Sequence, residues 1–275
     1  MKRTTMQSGI YRRIAVWVIV TACAGCREPE GGVRGAEAAG GAGEQGKAAF
    51  PVDAATARIE GRVVFEGDAP EPKPVRIDGD KFCEHCAADT PFEDERIVVH
   101  KGKALGNVFV YVAKGMERWN HEVVTEPVVV TQRGCRYEPR VVGISVGQAL
   151  RVTNEDDTLH NVHFVSRLNR EFNVSERKGQ THERRFKRPE VGTAFLECNI
   201  HRWMRSHVAI VRHPFYEVTG EGGTFDLGKL PAGQYEVAAW HEVLGVQTRK
   251  IRVEDGETAT LEFAFAMKQV SVTGE

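Results

Sequence analysis

The sequence predicts an all-β protein built of two β-sandwiches, on three observations. Short runs rich in Val, Ile, Phe, Tyr and Thr recur from Ile59 to Phe265. Clusters of Gly, Pro, Asn and Asp separate these runs, as tight turns require. Beyond the first 26 residues no stretch carries a long helical period. The length of 275 residues allows one or two domains. With 27% charged and 41% hydrophobic residues, the chain is neither wholly disordered nor a multi-span membrane protein. Its 37 Lys+Arg balance 38 Asp+Glu, so no basic excess points to nucleic acid.

The first element is a leader. Lys2, Arg3, Arg12 and Arg13 precede the apolar run Ile14 to Val20, and small residues follow up to Cys26. This order predicts an export signal. Ile14 to Gly25 is 12 residues, well short of the roughly 18–20 that span a bilayer. Val20-Thr21-Ala22-Cys23 fits a bacterial lipobox at every position. Ala24-Gly25-Cys26 fits the two positions before its cysteine, with Cys23 where Leu is usual. Lipidation at Cys23 or Cys26 is expected, giving a periplasmic, outer-membrane or cell-surface lipoprotein held to the membrane by its lipid. Removing the four basic residues takes the formal charge from −1 to −5. Residues 27–56 hold seven glycines and eight alanines without periodicity, which reads as a flexible tether.

The strand-like runs follow. The first are Ile59 to Phe65, Asn107 to Val112 and Val128 to Val130. Next come Arg140 to Val146, Ala149 to Thr153, Asn161 to Val165, His182 to Phe186, Thr193 to Cys198 and His207 to Val211. Thr224 to Leu227, Gln234 to Trp240, Gln247 to Val253 and Thr258 to Phe265 complete the set.

The strongest chemical signal is Cys198-Asn199-Ile200-His201-Arg202-Trp203-Met204, a C-x-x-H-x-x-M run after a strand. Upstream lies Asn154 to Phe164, which contains His160 and His163. A thiolate, two imidazoles and a weak thioether are a blue-copper ligand set. Thirty-seven residues separate His160 from Cys198, room for about three strands. Strand alternation puts His160 and Val162 on one face, and Asn161 and His163 on the other. His207 reads as a surface or outer histidine. Trp203, between Arg202 and Arg205, reads either as a docking residue beside an exposed His201 edge or as packing.

These residues resemble the copper loop of cupredoxins, and the one-loop spacing looks most like amicyanin. His160-Asn161-Val162 resembles the plastocyanin and amicyanin segment that gives the first histidine. Tyr137-Glu138-Pro139-Arg140-Val141, Gly147 and Asn154 also look like early strands of that fold. The resemblance covers roughly residues 119–213. It implies a Greek-key β-sandwich with one type 1 copper on His160, Cys198, His201 and Met204. It also implies Asn161 behind the ligands, tying the first histidine's strand to the Cys198 loop. The function implied is one-electron transfer to and from a redox protein partner, and not catalysis. Multicopper oxidases need H-x-H pairs, the dinuclear copper centre needs two loop cysteines, and copper nitrite reductases need a second copper site.

Cys83-Glu84-His85-Cys86 lacks the histidine that would follow Cys86 in a haem motif. In an exported protein a structural disulfide is expected, Cys135 pairing with Cys83 or Cys86. One thiol is then left over.

Gly222 to Leu227, then Leu230-Pro231-Ala232-Gly233 and Tyr235-Glu236-Val237, resemble the carboxypeptidase regulatory-like sandwich. Phe225, Leu227, Tyr235 and Val237 alternate inward, and Pro231 and Gly233 set the turn. That family opens with strands like Ile59 to Phe65 and Val108 to Val112. The expected organisation is therefore a smaller discontinuous sandwich, 57–118 with 214–267, carrying the cupredoxin-type sandwich of 119–213 as an insert. Two sequential domains are the alternative. Trp240-His241-Glu242 raises glycan contact through this module, with packing the default for Trp240. A binding or structural lipoprotein in which copper is stored or incidental is the alternative function.

Overall fold

The structure, a computed structural model, describes residues 47–267. Cys23, Cys26 and residues 27–46 of the expected tether lie outside the described residues. In chain order the elements open with β1 (Ala48–Ala49), β2 (Ala57–Phe65), helix α1 (Lys81–Asp89), β3 (Phe109–Lys114) and β4 (Trp119–Asn120). The middle comprises β5 (Val128–Arg133), β6 (Arg136–Glu138), β7 (Val141–Ser145), β8 (Ala149–Asn154), β9 (His160–Val165), β10 (Phe172–Glu176), β11 (Thr181–Arg185), β12 (Phe195–Glu197) and β13 (Arg205–Val211). The last are β14 (Tyr216–Val218), β15 (Thr224–Leu230), β16 (Gly233–His241), β17 (Gly245–Val253) and β18 (Thr258–Phe265).

The described residues are nearly all β, as the sequence predicts, with a two-stranded sheet, β1-β4, beside two pairs of larger sheets. One sheet runs β10-β9-β12-β13-β7 and faces another in the order β11-β8-β5-β6. Val130, Ile144, Leu150, Val162, Phe164, Leu196 and Ile210 fill the core of this pair. The second pair runs β14-β3-β16-β17 and β15-β2-β18. It closes on Ile59, Phe65, Val110, Phe225, Val237 and Phe263. Strands on both sides of the 128–211 stretch, β2 and β3 before it and β14 to β18 after it, therefore share sheets.

Side-chain alternation explains the layers. In β2, Ala57, Ile59, Val63 and Phe65 are buried, and the intervening residues are partly exposed. β7 and β13 instead read as nearly continuous apolar runs, because both of their faces are covered. Val142, Ile144, Val208 and Ile210 face the first core. Val141, Ala209 and Val211 face the other way, into a cluster with Phe109. Gly143 permits that contact. A Cβ there would stand 2.3 Å from the Tyr216 ring and 2.5 Å from Phe109. Beside this seam Arg140 pairs with Glu242 at 2.5 and 2.8 Å. His207 Nε2 lies 3.2 Å from the same carboxylate.

Several expectations need correction. The tether does not run free to residue 56. β1 pairs in parallel with β4, and Phe50 packs on Trp119, His121 and Phe215, half-burying an aromatic ring that a solvated tether would expose. Strands β6, β10 and β14 add to the predicted set. The Cys83 region forms a nine-residue helix. Asp80 caps it, accepting the N–H of Phe82 at 2.9 Å and of Cys83 at 3.0 Å. No helix among the described residues is long and apolar enough to cross a membrane.

Candidate metal centre

The centre forms where β9 begins and β12 ends. His160 is the first residue of β9, and β12 pairs with β9 on one side and β13 on the other. Antiparallel β12 and β13 force the chain to reverse between Glu197 and Arg205. That reversal is the Cys198–Met204 loop. Its ends close on each other, Cys198 N donating to Met204 O at 3.3 Å and Met204 N to His201 O at 2.9 Å. Cys198 and His201 consequently meet the first residue of the neighbouring strand.

His160 Nδ1 and His201 Nδ1 are 2.9 Å apart. Cys198 Sγ is 3.8 Å from His201 Nδ1 and accepts the His201 N–H at 3.4 Å. One ligand atom from each of His160, Cys198 and His201 lies within 4.8 Å of the others, all buried. Met204 is buried in the same core cluster as Cys198. Two further groups, Asp80-Cys83-His201 and Cys135-Asp156-His160, share these histidines. Their cysteines are joined to each other, and a bridged sulfur offers no thiolate to a metal.

The electrostatics favour a thiolate. Burial works to raise the Cys198 thiol, but hydrogen bonds from the His160 and His201 rings and from the Asn161 and His201 amides outweigh it. The thiol is brought down to about 6. Burial also opposes a charged His160, yet Asp156 and Cys198 hold its ring up at about 9. Both shifts run in the direction that favours an ionised sulfur beside a protonated ring. A metal held here would need a deprotonated Cys198 sulfur and a free ring nitrogen on each histidine.

Asn161 joins the two halves. Its Oδ1 accepts Asn199 N–H at 2.8 Å and lies 3.3 Å from Cys198 Sγ. Its Nδ2 donates to Asn173 Oδ1 at 2.7 Å and to Asn199 Oδ1 at 3.0 Å. Tyr137 OH donates to Asn161 O at 2.6 Å and holds the strand from beneath. His163 points away, its Nδ1 3.4 Å from Glu197. His207 is far from a surface role: it is buried between Glu242 and Trp240. Trp240 meets that ring edge-on, with centroids 5.3 Å apart.

Two partners of the site went unassigned in the sequence. Asp156 Oδ2 is 2.8 Å from His160 Nε2 and Asp80 Oδ2 is 3.4 Å from His201 Nε2. The second contact has ion-pair distance without hydrogen-bond geometry, since His201 Nε2 makes no hydrogen bond. Asp156 stands four residues before His160 in an acidic run, which is a weak local hint. The only hint for Asp80 is a capping residue before a short helix. The expected open edge of His201 also requires correction. Its ring is only 2% exposed, because the segment around α1 covers it. Trp203 packs on the same ring, with centroids 5.2 Å apart, and donates Nε1–H to Cys135 O at 3.0 Å.

The disulfide joins Cys83 to Cys135. Cys86 is a free, half-buried thiol and Cys198 a free, buried one.

The donor set is chemically selective. One thiolate, two neutral-capable imidazoles and a neighbouring thioether suit copper better than the harder oxygen-preferring cations. No family model matches the chain, and no curated protein matches it. Among solved structures it is similar to a methionine-to-alanine mutant of amicyanin in the Cu(I) form. That match has 28% identity over 32% of this chain and 86% of that chain, with a TM-score of 0.27. A reduced tryptophan-to-tyrosine mutant of amicyanin gives 29% identity over the same shares, 32% and 86%, with a TM-score of 0.28. The Cu-containing nitrite reductase from Thermus scotoductus SA-01 gives 24% identity over 36% of this chain and 25% of that chain, with a TM-score of 0.28.

Proposed function

We propose that the chain is an exported, cupredoxin-like carrier of single electrons with one type 1 copper on His160, Cys198, His201 and Met204. The observation that carries this reading is the convergence of three buried donors, His160 Nδ1 and His201 Nδ1 at 2.9 Å from each other and Cys198 Sγ beside them. A bound copper ion supplies the one-electron couple. The residues do the rest. Cys198 offers an ionised sulfur, and the two rings present nitrogens on the same point. The Asn161, Asn173 and Asn199 hydrogen bonds fix the loop, so the donors keep one arrangement in both oxidation states. Burial keeps water from adding to the set. This arrangement suits transfer to a redox protein, and the proposal is of a carrier rather than an enzyme.

In this reading residues 119–213 form the copper module, inserted in a sandwich of 57–118 and 214–267. The shared sheets of β2, β3 and β14 to β18 support that partition. The leader and its Cys23 or Cys26 would place the module on an exported lipoprotein.

The test is to load the recombinant protein with Cu(II). The reading expects an intense visible thiolate-to-copper band that ascorbate bleaches reversibly and that Cys198→Ser abolishes. A colourless protein, or zinc binding with no redox couple, overturns it.

A further inference from the structure

The outer edge of His201 is closed by a segment from elsewhere in the chain. Residues 74–93 leave and return to one place. Asp94 N donates to Lys73 O at 2.8 Å and Val75 N to Phe92 O at 2.8 Å, and Pro74 bridges Glu93. The loop between these ends carries α1. Its tip is pinned to the β5–β6 turn by Cys83–Cys135. Its return limb is held by Arg136, whose guanidinium lies 4.0 Å over the Phe92 ring. Cys83, Phe92 and Cys135 form a small buried cluster against which Trp203 packs.

The residue that this loop presents to the centre is Asp80. Its Oδ2 accepts the Thr158 hydroxyl at 2.8 Å and faces His201 Nε2 at 3.4 Å. Asp156 is hydrogen-bonded to His160 Nε2 at 2.8 Å, whereas Asp80 stands at ion-pair distance from His201 Nε2, and Asp156 is itself fixed by the amides of Gly134 and Cys135, at 2.6 and 2.8 Å. Both histidines thus turn Nδ1 inward and Nε2 toward a carboxylate. A histidine that ligates a metal donates its other N–H to such a group, which fixes the ring and strengthens the donor. Cys135 lies next to both devices, because its amide fixes Asp156 and its sulfur anchors the loop that carries Asp80.

We propose that Asp80 is a positioning residue for the metal centre, and that loop 74–93, latched by Cys83–Cys135, seats it on His201 and seals that edge. Asp80 orients His201 Nδ1 toward the site, and its negative charge favours the more highly charged metal state. The loop excludes solvent and chelators from the histidine. The proposal rests on the copper reading for its electronic part. Its sealing part concerns Cys198 and His201 with or without metal.

The experiment uses the full chain in the Cys86→Ser background, so that Cys198 is the free thiol among the described residues. Asp80→Asn keeps the helix cap, since Asn caps as well as Asp, and removes the charge. Cys83→Ser with Cys135→Ser removes the latch. Thr158→Val loosens Asp80 without touching its charge and serves if Asp80→Asn does not fold. Asp80→Asn should lower Cu(II) affinity about 10–100-fold. Cu(I) affinity should fall less, raising the potential by about 59 mV for each tenfold difference. Removing the latch should speed both Cu(II) loss to a chelator and reaction of metal-free Cys198 with a thiol reagent by at least about tenfold, the factor that 1.4 kcal/mol of opening free energy represents. A folded Asp80→Asn with both copper affinities and the potential unchanged overturns the positioning role. Unchanged Cys198 reactivity after latch removal overturns the sealing role. If the parent protein binds no copper, the copper reading fails, and Cys198 reactivity still decides the sealing role.

Discussion

His160 and His201 stand 41 positions apart in the chain, yet their Nδ1 atoms face each other at 2.9 Å. Hydrogen-bonded strands make that meeting. β9 begins at His160, and β12 and β13 carry the other donors beside it. The third histidine of the region, His163, is turned to Glu197. His160→Ala should therefore abolish the visible band of the copper-loaded protein, and His163→Ala should leave its position and intensity unchanged. Absorption spectra of the two variants check this.

The carboxylate of Glu242 receives Arg140 and His207 in a buried seam. Arg140 and Glu242 side chains are only 13% and 7% exposed. Glu242→Ala leaves Arg140 buried without its partner. A loss on the order of 3–5 kcal/mol is expected. Urea unfolding at pH 7 measures it. Burial works to raise the Glu242 carboxyl, but hydrogen bonds from His207 and Arg140 hold it down at about 2. The contribution of this carboxylate is therefore complete above about pH 4.5 and is lost as pH falls toward 2.

His213 and His241 are buried bases outside the metal centre. Burial lowers both to about 4 from 6.5. Each neutral ring has a use for its lone pair. His213 Nδ1 accepts Phe215 N–H at 3.3 Å, and His241 Nδ1 accepts Val243 and Leu244 N–H at 3.2 Å. Their stabilisation is complete above about pH 6.5 and is lost as pH falls through about 4. Between these limits each histidine contributes a slope of about 1.4 kcal/mol per pH unit. Thermal unfolding from pH 7 to 4.5 should show a flatter decline in His213→Gln with His241→Gln than in the parent.

Gly143 is held small by its neighbours. Valine there would drive atoms into Tyr216 and Phe109 rings that stand 2.3 and 2.5 Å from the Cβ position. Overpacking of this kind costs about 1–3 kcal/mol. Gly220 has nothing within 4 Å of its Cβ position, so Gly220→Ala should change stability by less than about 0.5 kcal/mol. Denaturation midpoints of the two variants separate close packing from a general loss of glycine.

Much of the site was legible because it is local. Cys198, His201 and Met204 fit one loop, and strand alternation separates His160 from His163. Most strands were legible from apolar alternation and turn residues. β10 escaped because Phe172 and Val174 are its only apolar residues, a thin signal for an edge strand in a polar stretch. The helix escaped because nine residues carry little periodicity. The roles of Cys83 and Asp80 could not be read locally. Their partners, Cys135, Thr158 and His201, lie 52 to 121 positions away, and only the fold brings them together. For the same reason the sequence left Cys83 and Cys86 as equal candidates for Cys135, and left His201 with an open edge.

The most direct test of the central claim is copper K-edge X-ray absorption on the loaded protein, with its Cys198→Ser variant alongside. The account predicts one strong sulfur donor and two histidine nitrogens per copper in the parent, with the sulfur lost in the variant. A copper bound by nitrogen and oxygen alone in the parent, with the same spectrum in the variant, would contradict it.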